Sequence, residues 1–267
     1  MAMDHLQPEQ IKSYFSTEKT VSQWWNPLEG LYRYHFKNLL RVIENYVFPW
    51  KDKRVLDVGT GRGMFSIWFA GQGCQVDALD ISSEMLHIAR KNAQTAQVQD
   101  MVSFSLGDAE DLSGLPQGVY DWVSCMCTFD HIPNLDKAVG QMAGKLKKDG
   151  YLLFTYCPTN SFHGCLFRLY ANYISKYYKL SQENGLIARL YTHKEIERIL
   201  SNHNLSLERR YGVGLFCLLL RPEFERGIIT AIPRGISRLE EYLVPFYKSS
   251  FFAKRCQIIV GFARKTK

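Results

Sequence analysis

The sequence has no apolar run long enough to cross a membrane or to serve as a secretory leader. Its longest apolar stretch, residues 212–220, is far shorter than the roughly 20 residues that a membrane-spanning helix needs. Residues 1–10 contain no apolar segment of the signal-peptide type. We therefore expect a cytoplasmic protein, and these absences argue against an integral membrane protein and against a secreted one.

Cysteine pairs at metal-ligand spacing are also scarce. The seven cysteines are an odd number and lie scattered in apolar segments, with Cys125 and Cys127 as the one close pair. Such cysteines are typical of reduced thiols in a cytoplasmic protein, and no metal site is predicted.

Repeats and low-complexity tracts are missing as well. The 267 residues therefore suit one large domain with additions, or a domain with a small cap.

Acidic residues are few in the C-terminal part of the chain. Residues 1–150 hold 15 Lys and Arg against 18 Asp and Glu, whereas residues 151–267 hold 18 against 8. The net charge of +7 therefore comes entirely from the second part. A basic surface there suits an acidic substrate, an anionic membrane or nucleic acid. An ordinary solvated surface is an equally good interpretation.

A glycine-rich turn follows the first segment that has the composition of a buried strand. Residues 55–58 are largely apolar, Gly59, Gly61 and Gly63 follow at alternate positions, and the next residues have helical spacing. Strand, glycine turn and helix form the start of a nucleotide-binding βαβ unit. We expect the turn to present backbone N–H groups at a helix N-terminus, which suits a carboxylate or a phosphate.

The spacing of this turn excludes two common nucleotide motifs. A P-loop would continue with Gly-Lys-Ser or Gly-Lys-Thr, which is absent, and a dinucleotide turn would read G-x-G-x-x-G. Here Asp57 comes two residues before Gly59, and Asp80 and Asp108 end the next two predicted strands. The carboxyl ends of successive strands are where open α/β sheets bind ligands. Asp80 is placed to accept hydrogen bonds from ribose hydroxyls.

Five strand-like segments alternate with helical ones between residues 54 and 156. This order predicts a doubly wound α/β sheet, which apolar segments within 205–220 and 257–263 extend to seven mostly parallel strands. We expect the chain to divide into an N-terminal helical cap that covers the substrate (1–50), a nucleotide-binding, Rossmann-like core (51–157), an amphipathic insertion after strand five that acts as a lid (158–191), and a C-terminal completion of the sheet (192–267).

Across residues 54–156 these motifs resemble those of the class I S-adenosylmethionine (SAM)-dependent methyltransferases. The resemblance implies SAM as the cofactor and assigns Asp57 and the glycine turn to its methionine end. It also implies that Asp80 holds the ribose and that Asp108 holds the adenine amino group. The residues thereby assigned to the cofactor are Asp57, Gly59, Thr60, Gly61, Gly63, Asp80, Ile81, Met85, Asp108, Ala109 and Cys125.

A looser resemblance extends to the ubiquinone-biosynthesis O-methyltransferases. That family has Trp-Trp-Asp-Pro before the domain and Cys-Met-Glu-x-x-Glu-His after the fourth strand, and the counterparts here are residues 24–27 and 125–131. Asn26 and Cys127 replace acids of this pattern, and a hard divalent cation would want the lost carboxylate. The resemblance implies an amphipathic small substrate. For the basic segment 161–180 it offers peripheral membrane contact as an alternative to a lid.

Methyl transfer needs mainly positioning, because an acceptor oxygen, nitrogen or carbon attacks the sulfonium methyl group in line. If the acceptor loses a proton, His131 is the candidate base, with Asp130 to orient its ring. Hydrogen bonding that only closes the loop is an equally good interpretation of His131. The residues expected to form the substrate wall are Tyr14, Trp24, Trp25, Tyr156 and His163.

Two other functions stay open besides methyl transfer to a small amphipathic or aromatic metabolite. An RNA methyltransferase fits the basic C-terminal part, but residues 125–128 lack the Asn/Asp-Pro-Pro-aromatic signature for base amino groups. We therefore expect no nucleic-acid partner. An enzyme that uses SAM for chemistry other than methylation would have the same cofactor site, so the sequence does not separate that case.

Overall fold

A computed structural model describes the chain over residues 8–17, 30–45, 49–161, 189–214 and 254–267. The predictions for Trp24, Trp25 and His163 lie outside these residues. So does nearly all of the amphipathic insertion, including the proposed membrane-contact segment 161–180 after its first residue. Within the described part of the chain, no helix is both long and apolar enough to span a membrane.

Seven strands and six helices make up the described regular structure, apart from two short 3-10 turns. The strands are β1 (Arg54–Val58), β2 (Gln75–Asp80), β3 (Val102–Leu106), β4 (Tyr120–Cys125), β5 (Leu146–Tyr156), β6 (Leu205–Val213) and β7 (Ile258–Lys265). The helices are α1 (Pro8–Phe15), α2 (Gly30–Asn45), α3 (Met64–Gly71), α4 (Ser83–Thr95), α5 (Leu135–Lys145) and α6 (His193–Asn202).

The strands form one sheet in the order β3-β2-β1-β4-β5-β7-β6. Strands β1 to β5 are parallel, and β7 runs antiparallel to both β5 and β6. The predicted seven-stranded, mostly parallel, doubly wound sheet is confirmed. The strand order reverses between β1 and β4, and such a switch point opens a crevice at the carboxyl ends of the strands.

Apolar layers cover both faces of the sheet. Adjacent strand residues alternate between them, so Leu56 packs in one layer with Val139 of α5, and Val55 packs in the other with Ile43 of α2. Nearly continuous apolar strands of this kind are expected when helices cover both faces. The two layers hold the strand ends, and therefore the crevice, in a fixed position.

The glycine turn between β1 and α3 needs its glycines for two separate reasons. Gly59, Gly61 and Gly63 all have positive φ, at 74°, 53° and 80°, a conformation that side chains disfavour. A Cβ on Gly59 would also lie 2.4 Å from the Cγ2 methyl of Thr128, and one on Gly63 would lie 2.9 Å from the Cβ of Ala89. Gly59 therefore lets the loop after β4 approach the turn, and Gly63 lets α4 approach it.

We expect Gly59→Ala to lower the free energy of unfolding by about 1–3 kcal/mol, because it adds backbone strain and a clash with Thr128. Gly114→Ala is the matched control, since a Cβ there meets nothing within 4 Å, and its change should stay within about 0.5 kcal/mol. Urea unfolding of both variants gives the comparison. Equal stabilities for the two would contradict the assignment, and Thr128→Ala should recover part of the loss at Gly59.

Candidate active site

A cavity of about 380 Å³ lies at the carboxyl ends of the first five strands. Such a volume is in the range of small-molecule and cofactor sites. The predicted site residues that line it are Gly59, Thr60, Gly61, Asp80, Ile81, Met85, Asp108, Ala109, Asp130 and His131. The fold thus brings together residues from four separate loops at the switch point of the sheet.

Asp80 is fixed by two backbone hydrogen bonds at the end of β2. Its Oδ2 accepts from the Gly61 N–H at 2.7 Å, and its Oδ1 accepts from the Ser82 N–H at 2.9 Å. Burial raises the pKa of this carboxyl above its ordinary value, while the N–H groups of Ser82 and Gly61 oppose that shift. The carboxylate therefore faces the cavity in one orientation, as a ligand for ribose hydroxyls requires.

The adenine end of the predicted site lies at the ends of β2 and β3. Asp108 and Ala109 follow β3 and line the cavity with Ile81 and Met85. The Asp108 carboxylate accepts a hydrogen bond from the Glu110 N–H at 2.9 Å, which holds the side chain against its own loop. Two apolar side chains and an oriented carboxylate make an arrangement that suits a purine ring with an exocyclic amino group.

The backbone amides of the glycine turn are occupied, contrary to the expectation that they face a ligand. The N–H groups of Gly59 and Thr60 donate to the Leu79 carbonyl at 2.8 and 3.0 Å. The Gly61 N–H donates to Asp80, and the Gly63 N–H donates to the Thr60 carbonyl. These bonds lock the turn to the end of β2. They also remove four donors that an anionic ligand would otherwise use.

Asp57 lies behind the turn and not on the cavity wall. It is 2% exposed, and its Oδ2 accepts a 2.7 Å hydrogen bond from the Ser66 hydroxyl of α3. That hydroxyl also lies 2.8 Å from the hydroxyl of Thr60, which does line the cavity. Burial raises the pKa of Asp57, and the Ser66 hydrogen bond opposes the shift. Asp57 therefore stabilises the turn from its buried side, and Thr60 is the member of this network that lines the cavity.

Four further predicted residues lie away from the cavity. Gly63 is the N-cap residue of α3 and packs against Ala89. Cys125 is fully buried in the core layer below α5. Tyr156 is also buried in that layer, and its hydroxyl lies 2.6 Å from the Nδ1 of His193. Tyr14 does not line the cavity, whereas its neighbour Phe15 does.

The other end of the cavity is built from helix α1, the loop after β4 and the end of β5. Ile11 and Phe15 of α1 line it, and the Phe15 ring meets the His131 ring edge-on at 5.6 Å between centroids. The Ser82 hydroxyl donates to the Phe15 carbonyl at 3.0 Å. Helix α1 is thereby joined through Phe15 both to Ser82, close to Asp80, and to the loop that carries His131.

Asp130 and His131 have opposite pKa shifts with the same cause. Burial raises the pKa of Asp130 to about 6, and the Cys157 N–H, which donates to its Oδ1 at 3.1 Å, opposes the shift. Burial lowers the pKa of His131 to about 4, so the imidazole is neutral at pH 7. The hydrogen bond to Cys157 joins the loop after β4 to the end of β5.

Several residues on this wall could not be recognised from the amino-acid sequence. Cys127 has a positive φ of 55°, and its N–H donates to the Thr155 hydroxyl at 2.6 Å. Thr128 donates from its hydroxyl to the Gly59 carbonyl at 3.2 Å. Arg62 lies in the glycine turn, and Cys127 and Thr128 lie in segment 125–131, but neither motif assigns them to the cavity wall, and the other positions carry no motif. The lining residues missed by sequence reasoning include Ile11, Phe15, Arg62, Cys127, Thr128, Thr155, Cys157 and Ile258.

Comparison with known protein families identifies the enzyme class to which this chain belongs. The family model of a methyltransferase domain matches residues 31–209. This chain belongs to the methyltransferase domain family. The predicted class I SAM-dependent methyltransferase is thereby confirmed, with S-adenosyl-L-methionine as its cofactor. The described residues of this methyltransferase fit SAM, because Asp80 and Asp108 present carboxylates and a Cβ on Gly61 would meet nothing within 4 Å.

Curated relatives of the methyltransferase include O-methyltransferases of ubiquinone biosynthesis. The ubiquinone biosynthesis O-methyltransferase of Vibrio campbellii is 33% identical over 161 residues, which cover 58% of this chain and 65% of the relative. That of Bordetella avium is 31% identical over 142 residues, which cover 52% and 58%. The matched part of the chain thus spans less than two thirds of the length of these relatives.

Solved structures share the fold at low sequence identity. Magnesium protoporphyrin IX methyltransferase from Synechocystis PCC 6803, with bound S-adenosylhomocysteine, is 16% identical, with a TM-score of 0.64 over 97% of this chain and 99% of that one. A SAM-dependent methyltransferase from Thermotoga maritima is 17% identical, with a TM-score of 0.62 over 95% and 99%. At these identities the likeness concerns the fold alone.

We expect Asp80→Asn to weaken SAM binding about tenfold to a hundredfold, because hydrogen bonds to a charged acceptor contribute about 1.5–3 kcal/mol. Asp111→Asn is the matched control, since Asp111 is exposed, bonds only its own loop at Ser113 and lies off the cavity. Isothermal titration calorimetry at pH 7.5 measures both affinities. Unchanged affinity in Asp80→Asn would remove Asp80 from the cofactor site.

Proposed function

We propose that this methyltransferase transfers the SAM methyl group to an oxygen of a small amphipathic or aromatic metabolite. The observation that carries the proposal is an apolar wall beside a buried carboxylate, at the end of the cavity away from Asp108. Ile11, Phe15 and Ile258 contribute the wall, and Asp130 contributes the carboxylate. Apolar walls bind rings and chains by excluding water. The names of the ubiquinone-biosynthesis relatives support an oxygen acceptor.

Asp130 is the better base of the two candidate residues, and this reverses the roles expected from the sequence. Both side chains are in their basic forms at pH 7, as a carboxylate and a neutral imidazole, but a carboxylate with a pKa of about 6 is a stronger base than an imidazole with a pKa of about 4. His131 then serves as a neutral ring that packs against Phe15 and shapes the wall.

SAM, when bound, supplies a methyl group on a sulfonium sulfur. The residues of this chain orient the acceptor, exclude water from it and accept its proton. Asp130 takes the proton of the acceptor hydroxyl, and the Cys157 N–H stabilises the carboxylate that does so. Ile11 and Phe15 exclude water from the acceptor end, so that a positioned hydroxyl and not bulk solvent meets the methyl group.

The division into an N-terminal cover and a cofactor core is part of the same proposal. Helix α1 supplies two wall residues and is attached to the core through the Ser82 hydroxyl. In this role Phe15 replaces Tyr14, because the helix turns Phe15 towards His131. A cover of this kind suits a small acceptor that must be enclosed before methyl transfer.

Incubation with methyl-labelled SAM and a metabolite extract tests the function directly. We expect the label in a small, partly apolar product that yields to O-demethylation, together with S-adenosylhomocysteine. Release of methylthioadenosine without a labelled acceptor would instead support chemistry other than methylation. Label in an RNA fraction would support the nucleic-acid alternative.

The pH dependence of the reaction separates the two candidate bases. With a phenolic acceptor, we expect kcat/KM to rise with pH up to about 6 and then level off, because Asp130 must be ionised. Asp130→Asn should abolish that inflection and lower kcat by about 100-fold or more. An inflection near pH 4 that disappears in His131→Ala, with Asp130→Asn nearly as active as wild type, would identify His131 as the general base.

We also expect full activity after treatment with EDTA. The described residues contain no group of three or more His, Cys, Asp or Glu side chains that could hold a metal ion. At the position where the resembling family has a carboxylate, Cys127 offers a thiol, and burial raises its pKa to about 12. Turnover with EDTA, compared with turnover in added magnesium, checks this. Loss with EDTA and recovery with magnesium would contradict it.

A further inference from the structure

The methionine end of SAM carries an α-carboxylate, and the cavity must compensate its charge. An ionised carboxylate taken out of water is costly unless it is paired or hydrogen-bonded. The glycine turn cannot supply this from the N–H groups of Gly59, Thr60, Gly61 and Gly63, because all four donate within the protein. A further donor of the turn, the Ser66 N–H at the start of α3, is directed to Asp57.

The cavity wall has more acidic than basic side chains. Three carboxylates line it, those of Asp80, Asp108 and Asp130, and His131 is neutral at pH 7. Among the described lining residues, Arg62 is the only lysine or arginine. The α-carboxylate of the cofactor would add a further negative charge to this wall, and Arg62 is the lining side chain whose positive charge can offset it.

Arg62 occupies the position in the turn that such a ligand needs. It lies between Gly61, where a Cβ would meet nothing within 4 Å, and Gly63, whose tight contact with Ala89 fixes the turn against α4. The Arg62 carbonyl accepts a 3.0 Å hydrogen bond from the Asn92 side chain, which holds the backbone of the residue. The residue is half-buried and lines the cavity.

We infer that the guanidinium of Arg62 binds the α-carboxylate of SAM. A planar guanidinium matches a carboxylate with two parallel hydrogen bonds, and these charge-assisted bonds are the strong ones. Arg62 thereby takes the role that the sequence pattern assigned to the amides of the turn. The inference rests on SAM as the cofactor and is independent of the acceptor proposed above.

An anionic group on the acceptor is the competing ligand for Arg62, and a pair of cofactor analogues distinguishes the two. S-adenosylhomocysteine keeps the carboxylate, whereas S-adenosyl-3-thiopropylamine lacks only that group. Calorimetric titration of both into wild type and Arg62→Gln requires no acceptor. Failure of the proposed methyl transfer therefore cannot be confused with failure of this inference.

We expect Arg62→Gln to weaken S-adenosylhomocysteine binding about tenfold or more, because a charge-assisted pair is lost. Binding of the decarboxylated analogue should change by less than about twofold. Arg62→Lys should lie between wild type and Arg62→Gln, since it keeps the charge without the paired geometry. Arg198→Gln, an exposed arginine on α6 away from the cavity, is the control and should change neither affinity.

Two results would overturn the inference. One is an equal loss of affinity for both analogues in Arg62→Gln, which would mean a general effect on the turn. The other is no loss of affinity for either analogue, which would mean that Arg62 contacts the acceptor or solvent and not the cofactor. Thermal unfolding of each variant accompanies the titrations. If Arg62→Gln does not fold, the comparison of the two analogues in Arg62→Lys and wild type decides the question.

Discussion

The two hydrogen bonds of the Asp80 carboxylate hold the site together. One reaches Gly61 in the turn after β1, and the other reaches Ser82 at the N-cap of α4. Ser82 in turn caps α4 through the Met85 N–H and donates to the Phe15 carbonyl of α1. A single charged group at the end of β2 therefore links the turn, the adenine end and the cover, while burial works against its ionised form.

The fold and most of the cofactor end could be predicted because their signals are local. Apolar runs separated by helical spacing determine the order of the elements, and the sheet follows from the rule that such crossovers form parallel strands. An acid at the end of a strand is placed at the carboxyl edge by sequence position alone. Asp80 and Asp108 therefore lie on the cavity, and so do the neighbours Ile81 and Ala109.

The direction of individual side chains could not be predicted so well, since it depends on alternation by one residue. Thr155 and Cys157 line the cavity, whereas Tyr156 between them points into the core. The same alternation buries Cys125 in one core layer and places Met126, which is also buried, on the cavity wall. Tyr14 and Phe15 differ by one helical position. The sequence around one residue does not reveal which way its side chain points, because that direction depends on how the neighbouring elements pack.

The close approach of Gly59 and Thr128 has a consequence for the evolution of the family. A side chain at position 59 would occupy the space that the Thr128 hydroxyl and methyl group already fill. Each of these loops therefore limits the size of the side chain that the other can carry at the contact, although the two positions are 69 residues apart in the chain. The positive φ of Gly59 already disfavours a side chain there, so homologues that keep this turn should keep glycine at position 59 and a small side chain at position 128. Conservation of that pair would record, in sequences alone, the contact between the cofactor turn and the loop that carries Asp130.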